Sequence, residues 1–211
     1  MPESNIQKKL FYTTLFAISM AYLESAIVVY LRMLFYPHGF DFPLIDIPQI
    51  IWITEIGREA ATILMLLMVS RFLARDNREW FAFFSINFGI WDIWYYLWLK
   101  ILIDWPASIF DWDILFLIPI PWAGPVLAPV IISFCIIVAG IYILKYNHLR
   151  LTKVEWIVEI ICGLIIILSF LTQTERLRQG LSPENYCWLL FFTGLLPGLI
   201  IFARRVYITI R

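Results

Sequence analysis

Long apolar runs separated by short polar or proline-rich breaks dominate the hydropathy pattern of this chain. Six of these runs reach the roughly 20 residues that a helix needs to cross a bilayer core of about 30 Å. They lie at residues 10–34, 50–72, 80–103, 124–145, 154–173 and 185–206. The pattern therefore predicts an all-α, polytopic integral membrane protein with about six transmembrane helices.

Composition supports the same class. The chain has 211 residues, of which 62% are hydrophobic and only 15% are charged, whereas soluble domains carry roughly 45–50% apolar and about 25% charged residues. The formal net charge is zero, so the composition does not indicate the excess of basic residues that is typical of nucleic-acid-binding proteins. The expected partner is therefore the lipid bilayer, and nucleic acid is not expected.

Lysine and arginine alternate between the two ends of the predicted helices. Eleven of them fall on the side of the N-terminus, four fall on the opposite side, and Arg58 lies within a helix. Cytoplasmic loops of membrane proteins carry the excess of positive residues. The distribution predicts that both termini are cytoplasmic, in the inner membrane of a cell of bacterial type.

The segment at residues 105–123 differs from a solvated loop because it is apolar and rich in proline and tryptophan. Pro106 and Pro119 do not allow a regular helix, so we expect an interfacial or partly re-entrant segment between the third and fourth helices. It divides a single transmembrane domain, 1–211, into an acidic half (1–104), an outer covering segment (105–123) and an apolar scaffold half (124–211).

Ionisable side chains inside the first three predicted helices are the main candidates for function, since each such group is costly in lipid. At about 1.5 Å of rise per residue, Glu24, Glu59 and Asp92 all lie roughly 15–17 Å from the outer helix ends, near the bilayer midplane. Glu55 lies about one turn further out, and Arg58 shares its helix face. We expect the three helix faces to meet and to place these five residues in one ion- or proton-binding cluster.

Small residues predict where the second helix approaches a neighbour. Gly57 and Ala61 are four residues apart on one face, and such pairs allow close helix packing.

The cluster has more negative than positive charge. Its excess requires protonation, a bound cation, or an arginine or lysine that reaches inward, for which Arg32 and Lys100 are the candidates. The cluster could serve as structural glue between helices, as a site of proton or cation binding and translocation, or as an all-oxygen metal or catalytic site. The metal hypothesis assigns a divalent cation of the Mg²⁺, Ca²⁺ or Mn²⁺ type to Glu24, Glu55, Glu59 and Asp92.

Other polar residues add less. Asp111 and Asp113, in the covering segment, are candidates for an outer gate of the site. His38 and His148 fall in loops on opposite sides of the membrane, so no haem is expected, and the three cysteines are isolated. Beyond a divalent cation, the sequence indicates no cofactor.

Proton or cation binding and translocation is the working hypothesis. One alternative is an accessory structural subunit of a larger membrane complex, which the small size and the many aromatic residues would suit. A transporter would instead exist alone or as a small homo-oligomer. Another is an intramembrane metal-dependent enzyme with an all-carboxylate site.

Overall fold

The computed structural model describes residues 3–211, with side chains from residue 6 onward. The chain is mostly helical, at 72%. Each apolar run predicted from the sequence carries one long helix, and the observed ends lie within a few residues of the predicted ones except at the two chain termini. The long helices are α1 (Glu3–Phe35), α2 (Gln49–Leu73), α3 (Asn77–Ile103), α4 (Leu127–Lys145), α5 (Lys153–Leu171) and, after the short α6 (Thr174–Arg178), α7 (Trp188–Ile210).

Four helical stretches are long and apolar enough to cross a membrane, judged by length and composition. They are Ile6–Phe35, Leu127–Lys145, Lys153–Arg178 and Trp188–Ile210. Helices α2 and α3 are also long, with 25 and 27 residues. They are less apolar because α2 carries Glu55, Arg58 and Glu59, and because α3 carries Asp92 among tryptophans and tyrosines. The four apolar stretches are therefore compatible with a helical membrane protein.

Helix α3 lies at the centre of the first bundle and packs against α1, α2 and α4. Two glycines allow α3 and α4 to approach closely. A Cβ atom on Gly89 would lie 2.6 Å from the backbone oxygen of Ser133, and one on Gly140 would lie 2.7 Å from that of Ala82. Real Cβ atoms do not come so close, so the α3–α4 contact depends on both glycines.

The close approach predicted at Gly57 and Ala61 is wrong. A Cβ atom on Gly57 would meet nothing within 4 Å, and Ala61 is exposed. The small-residue face of α2 points away from its neighbours, since the acidic face is the one turned toward α1 and α3. Sequence spacing identifies a small face but does not say which face a neighbour covers.

Helices α5 and α7 form a second packed pair. Here a Cβ atom on Gly194 would lie 2.7 Å from the backbone oxygen of Cys162. Near the start of α5, Arg205 of α7 binds Glu155 at 2.6 Å. Arg205 lies across the helix interface, which sequence spacing along α5 does not show.

The covering segment forms a β-hairpin rather than an irregular loop. Strands β1 (Trp112–Phe116) and β2 (Trp122–Pro125) are antiparallel, and Trp112 pairs with Pro125. Pro106 precedes the strands, Pro119 and Pro121 lie between them, and Pro125 ends β2, so the missing N–H groups remove no essential ladder bond.

Aromatic stacking joins the hairpin to both helical groups. Phe116 stacks on Phe88 of α3 at 6.3 Å between ring centroids, and Trp122 stacks on Phe170 of α5 at 6.4 Å. The hydroxyl of Thr174 also donates to the Pro121 carbonyl at 2.9 Å. The hairpin therefore covers one end of the first bundle and connects it to the α5–α7 pair; this end is called the hairpin end below.

Candidate functional site

A cavity of about 190 Å³ lies at the hairpin end, between α1, α2, α3 and the hairpin. This space is called the cleft below. All five residues predicted to form the intramembrane cluster line it: Glu24, Glu55, Arg58, Glu59 and Asp92. The three helix faces therefore meet as expected, because burying them against one another removes their charges from lipid.

Arg58 lies between two of the carboxylates. Its Nη2 is 2.8 Å from Glu55 Oε2 on the preceding turn of α2, and its Nη1 forms an ion pair with Glu24 of α1. The hydroxyl of Thr62, one turn further along α2, also donates to Glu24. Glu24 and Glu55 thus share the single positive charge of Arg58, and the pairing joins α1 to α2.

Glu59 has a different environment. One carboxylate oxygen, Oε2, accepts the backbone N–H of Leu117 in the hairpin at 2.9 Å. The other, Oε1, is buried and has no hydrogen-bond partner, and the residue is only 8% exposed. An unpartnered buried acceptor carries a desolvation cost. A proton or a donating ligand would therefore stabilise this oxygen, and Oδ2 of Asp113, which also lines the cleft, likewise has no hydrogen-bond partner.

Asp92 is held from a helix that the sequence placed in the apolar scaffold. The hydroxyl of Ser133 on α4 donates to Asp92 Oδ2 at 2.8 Å, and both residues are buried. Sequence reasoning missed Ser133, because a single serine in an apolar helix usually bonds to its own backbone. The close approach of α3 and α4 at Gly89 is what brings it within reach.

A second ion pair joins α1 to the hairpin. Arg32 Nη2 lies 3.2 Å from Asp113 Oδ1, and the two residues are 8% and 3% exposed. The Arg32 guanidinium lies 3.7 Å from the ring centroid of Trp105 and 4.4 Å from that of Phe40. Burial raises the pKa of Asp113 to about 6, and Arg32 opposes that rise. Arg32 therefore reaches inward, as the charge excess required.

Lys100, the other candidate for this role, instead pairs with the exposed Asp104 at 2.7 Å. The two acids assigned to an outer gate are also separated. Asp113 lines the cleft, whereas Asp111 accepts the backbone N–H groups of Ala107 and Ser108 at 2.8 and 3.1 Å. Asp111 is thus a turn-capping residue and does not line the cleft.

An excess of negative charge remains after these pairings. Five carboxylates and two arginines line the cleft. Tyr95 and Tyr96 lie beside them, but tyrosine hydroxyls bring no positive charge.

The four proposed metal ligands line one cleft without converging on one point. Glu24 and Glu55 turn to Arg58, Asp92 turns to Ser133, and Glu59 turns to the hairpin. In the part of the chain that the structure describes, no group of three or more His, Cys, Asp or Glu side chains is placed to hold a metal ion. The hypothesis of a divalent-cation site therefore has no geometric support.

A packed apolar layer lies next to the polar residues of the cleft. Ala17 and Ala21 of α1 and Leu66 of α2 are each 0% exposed and belong to one core cluster with Met20 and Trp91. Ala21 and Leu66 lie one turn beyond Glu24 and Thr62, so apolar packing follows the polar wall along α1 and α2.

Comparison of the chain with protein-family models, curated proteins and solved structures gave no match. The geometry and chemistry of the cleft therefore carry the functional inference.

Proposed function

We propose that this chain is a six-span protein of the inner membrane, with both termini in the cytoplasm, that binds a cation or proton in the cleft from the outer side. The observation that carries the proposal is the buried, unpartnered Oε1 of Glu59 in a cleft with more carboxylates than arginines. Passage across the membrane would also require the apolar layer at Leu66 to open, so binding is the part of the hypothesis that the geometry favours.

The chemistry of the cleft selects for positive charge. A buried carboxylate without a partner is unstable in a medium of low dielectric constant, and it recovers stability by protonation or by pairing with a cation. Arg58 and Arg32 are already engaged with Glu24, Glu55 and Asp113. Glu59 and Asp92 are the cleft carboxylates that no arginine contacts, and of these two Glu59 has the buried oxygen without a hydrogen-bond partner.

The length and burial of the two charged helices support six spans. At about 1.5 Å per residue, α2 and α3 are about 38 and 40 Å long, which exceeds a hydrocarbon core of about 30 Å. Their ionisable groups face the cleft, as intramembrane charges do in proteins that handle ions. The excess of lysine and arginine on the side of the N-terminus supports cytoplasmic termini.

The topology is tested by labelling single cysteines. In a background with the three native cysteines replaced by serine, His38→Cys should react with an impermeant maleimide on intact cells, and His148→Cys should react only after permeabilisation. Labelling of both positions on intact cells would contradict six spans with cytoplasmic termini.

Cation binding is tested with Glu59→Gln, which keeps the size of the side chain and an oxygen for the Leu117 N–H. Thermal unfolding in phosphatidylcholine nanodiscs, followed by tryptophan fluorescence, would be measured from pH 5 to 8 and with Na⁺, K⁺, Mg²⁺, Ca²⁺ and methylammonium. A cation at 100 times its Kd should stabilise the wild type by about 2.7 kcal/mol, and Glu59→Gln should lose that effect.

The matched control is Glu184→Gln, because the Glu184 side chain is 65% exposed and pairs with Arg176 at the surface. It should respond as the wild type does. If Glu59→Gln also responds to protons and every cation as the wild type does, the proposed function is wrong. A native mass near that of one or two chains would count against the accessory-subunit alternative.

A further inference from the structure

We infer that the cation bound in the cleft is a primary ammonium group attached to an apolar chain. This inference rests on the proposed function and specifies its ligand class. It is carried by two features of the cleft, the separation of its polar and apolar walls and the kind of partner that Glu59 lacks.

The carboxylates of the cleft are buried. Glu24, Asp92 and Asp113 are 3%, 8% and 3% exposed. The remaining lining is largely aliphatic or aromatic and includes Val28, Leu31, Phe35, Leu44, Ile47 and Ile114. Ile45, which also lines the cleft, is 40% exposed. The apolar wall therefore extends to the surface along the loop between α1 and α2, while the carboxylates are buried.

A ligand that matches these walls is charged at one end and apolar along its length. A hydrated inorganic ion would gain nothing from the apolar part, and a hard divalent ion requires several oxygens converging on one point. A chain of methylene groups gains from leaving water along that wall. The walls therefore favour an amphipathic cation over an inorganic one.

The unpartnered oxygen selects the kind of cation. Glu59 Oε1 lacks a hydrogen-bond donor, and a primary ammonium carries three N–H donors, whereas a quaternary ammonium carries none. Aromatic side chains attract cations through their ring faces, and Trp52, Trp91, Tyr95 and Tyr96 all line the cleft. A primary ammonium satisfies both features.

The size of the cavity limits what it encloses. Its volume of about 190 Å³ is below the roughly 300–1,000 Å³ of sites for drug-sized ligands. The ammonium and the first methylenes fill it, and a longer chain continues into the surroundings. A membrane lipid with an ethanolamine headgroup and a free amphipathic amine share this chemistry.

The experiment uses the full chain in phosphatidylcholine nanodiscs at pH 7, with n-alkylamines from methylamine to octylamine. The apparent Kd is read from the shift of the unfolding midpoint. Affinity should rise about fourfold per methylene, as expected from the transfer of CH₂ groups out of water, and should level off once the apolar wall is covered. Matching n-alkanols and N,N,N-trimethylalkylammonium ions serve as probes without the charge or without the donors.

Three outcomes would overturn the inference. If methylamine and octylamine bind equally and both depend on Glu59, the ligand needs no apolar chain, and the proposed function remains intact. Alkanols that bind as tightly as the amines would show partition into lipid alone. If trimethylalkylammonium ions bind as tightly as the primary amines, binding does not require an N–H donor on the ligand.

Two variants separate folding from binding. Glu59→Gln should weaken octylamine at least tenfold, and Glu184→Gln should not. Ile47→Ser alters only the apolar wall, so it should reduce the gain per methylene while methylamine binding stays unchanged. An unchanged gain in Ile47→Ser would contradict the placement of the chain.

The source of the ligand is read by adding phosphatidylethanolamine to the nanodiscs. A weaker apparent affinity for octylamine would identify the lipid headgroup as the occupant, and an unchanged affinity would identify a free amine. The primary ammonium itself is tested by the alkylamine series above.

Discussion

Replacement of Arg58 by methionine removes the positive charge between Glu24 and Glu55 while keeping a long apolar side chain. Both carboxylates then lose their ion-pair partner. The Glu24 side chain is 4% exposed and the Glu55 side chain 11%, so solvent cannot compensate them. We expect the protein to fold less stably and the contact between α1 and α2 to weaken first.

The magnitude follows from burial. Breaking a buried ion pair by removing one partner costs roughly 3–5 kcal/mol. The Arg58 side chain is 22% exposed, which places it at the lower end, and Thr62 still donates to Glu24. The expected loss is therefore about 3 kcal/mol.

The loss is measured by chemical unfolding in mixed micelles, followed by tryptophan fluorescence. A rescue variant that adds Glu24→Gln and Glu55→Gln to Arg58→Met should recover most of the loss, because neutral amides need no cation. Lys100→Met, which breaks an exposed pair, is the matched control and should change little. If Arg58→Met is as stable as this control, or if the amide pair gives no rescue, internal charge pairing does not hold α1 to α2.

Three further predictions test the packing and the charges. Gly89→Ala should cost about 1–3 kcal/mol by overpacking α3 against α4, whereas Gly57→Ala, with open space around it, should be neutral or slightly stabilising in the same unfolding assay. Asp113 has a pKa of about 6 and is protonated below that pH, so cation affinity should rise as the pH increases from 5 to 7. Asp113→Asn should flatten this pH profile, and an unchanged profile would show that Asp113 does not contribute to cation binding. Arg205→Met should leave the buried Glu155 unpaired and expose α5 and α7 to limited proteolysis, and equal protease resistance in this variant and the wild type would refute the pairing.

Much of the helical framework could be predicted because one physical constraint dominates it. Backbone N–H and C=O groups in lipid must form their hydrogen bonds within the segment, so long apolar runs form helices. The approximate bounds of the helices could therefore be predicted from the apolar runs. Depth along a helix is equally local, which is why Glu24, Glu59 and Asp92 could be placed at one level. Face periodicity then indicated that these acids meet, and the cleft contains all three.

The side-chain contacts within the site could not be predicted, because they depend on which helix faces pack against each other. Ser133 reaches Asp92 only because two glycines bring α3 and α4 together, and Gly57 looked equally suitable for such a contact until its face proved to be open. Asp111 and Asp113 are two residues apart, yet one caps a turn and the other pairs with Arg32.

The sequence by itself determined the helices, their charge pattern and the presence of buried carboxylates, since each follows from local hydropathy and helical geometry. Only the tertiary structure decided which of those carboxylates pair with an arginine and which keep an oxygen without a hydrogen-bond partner. That division depends on contacts between residues up to 81 positions apart, such as Arg32 and Asp113, and side-chain pairing at such separation is fixed by packing rather than by local pattern.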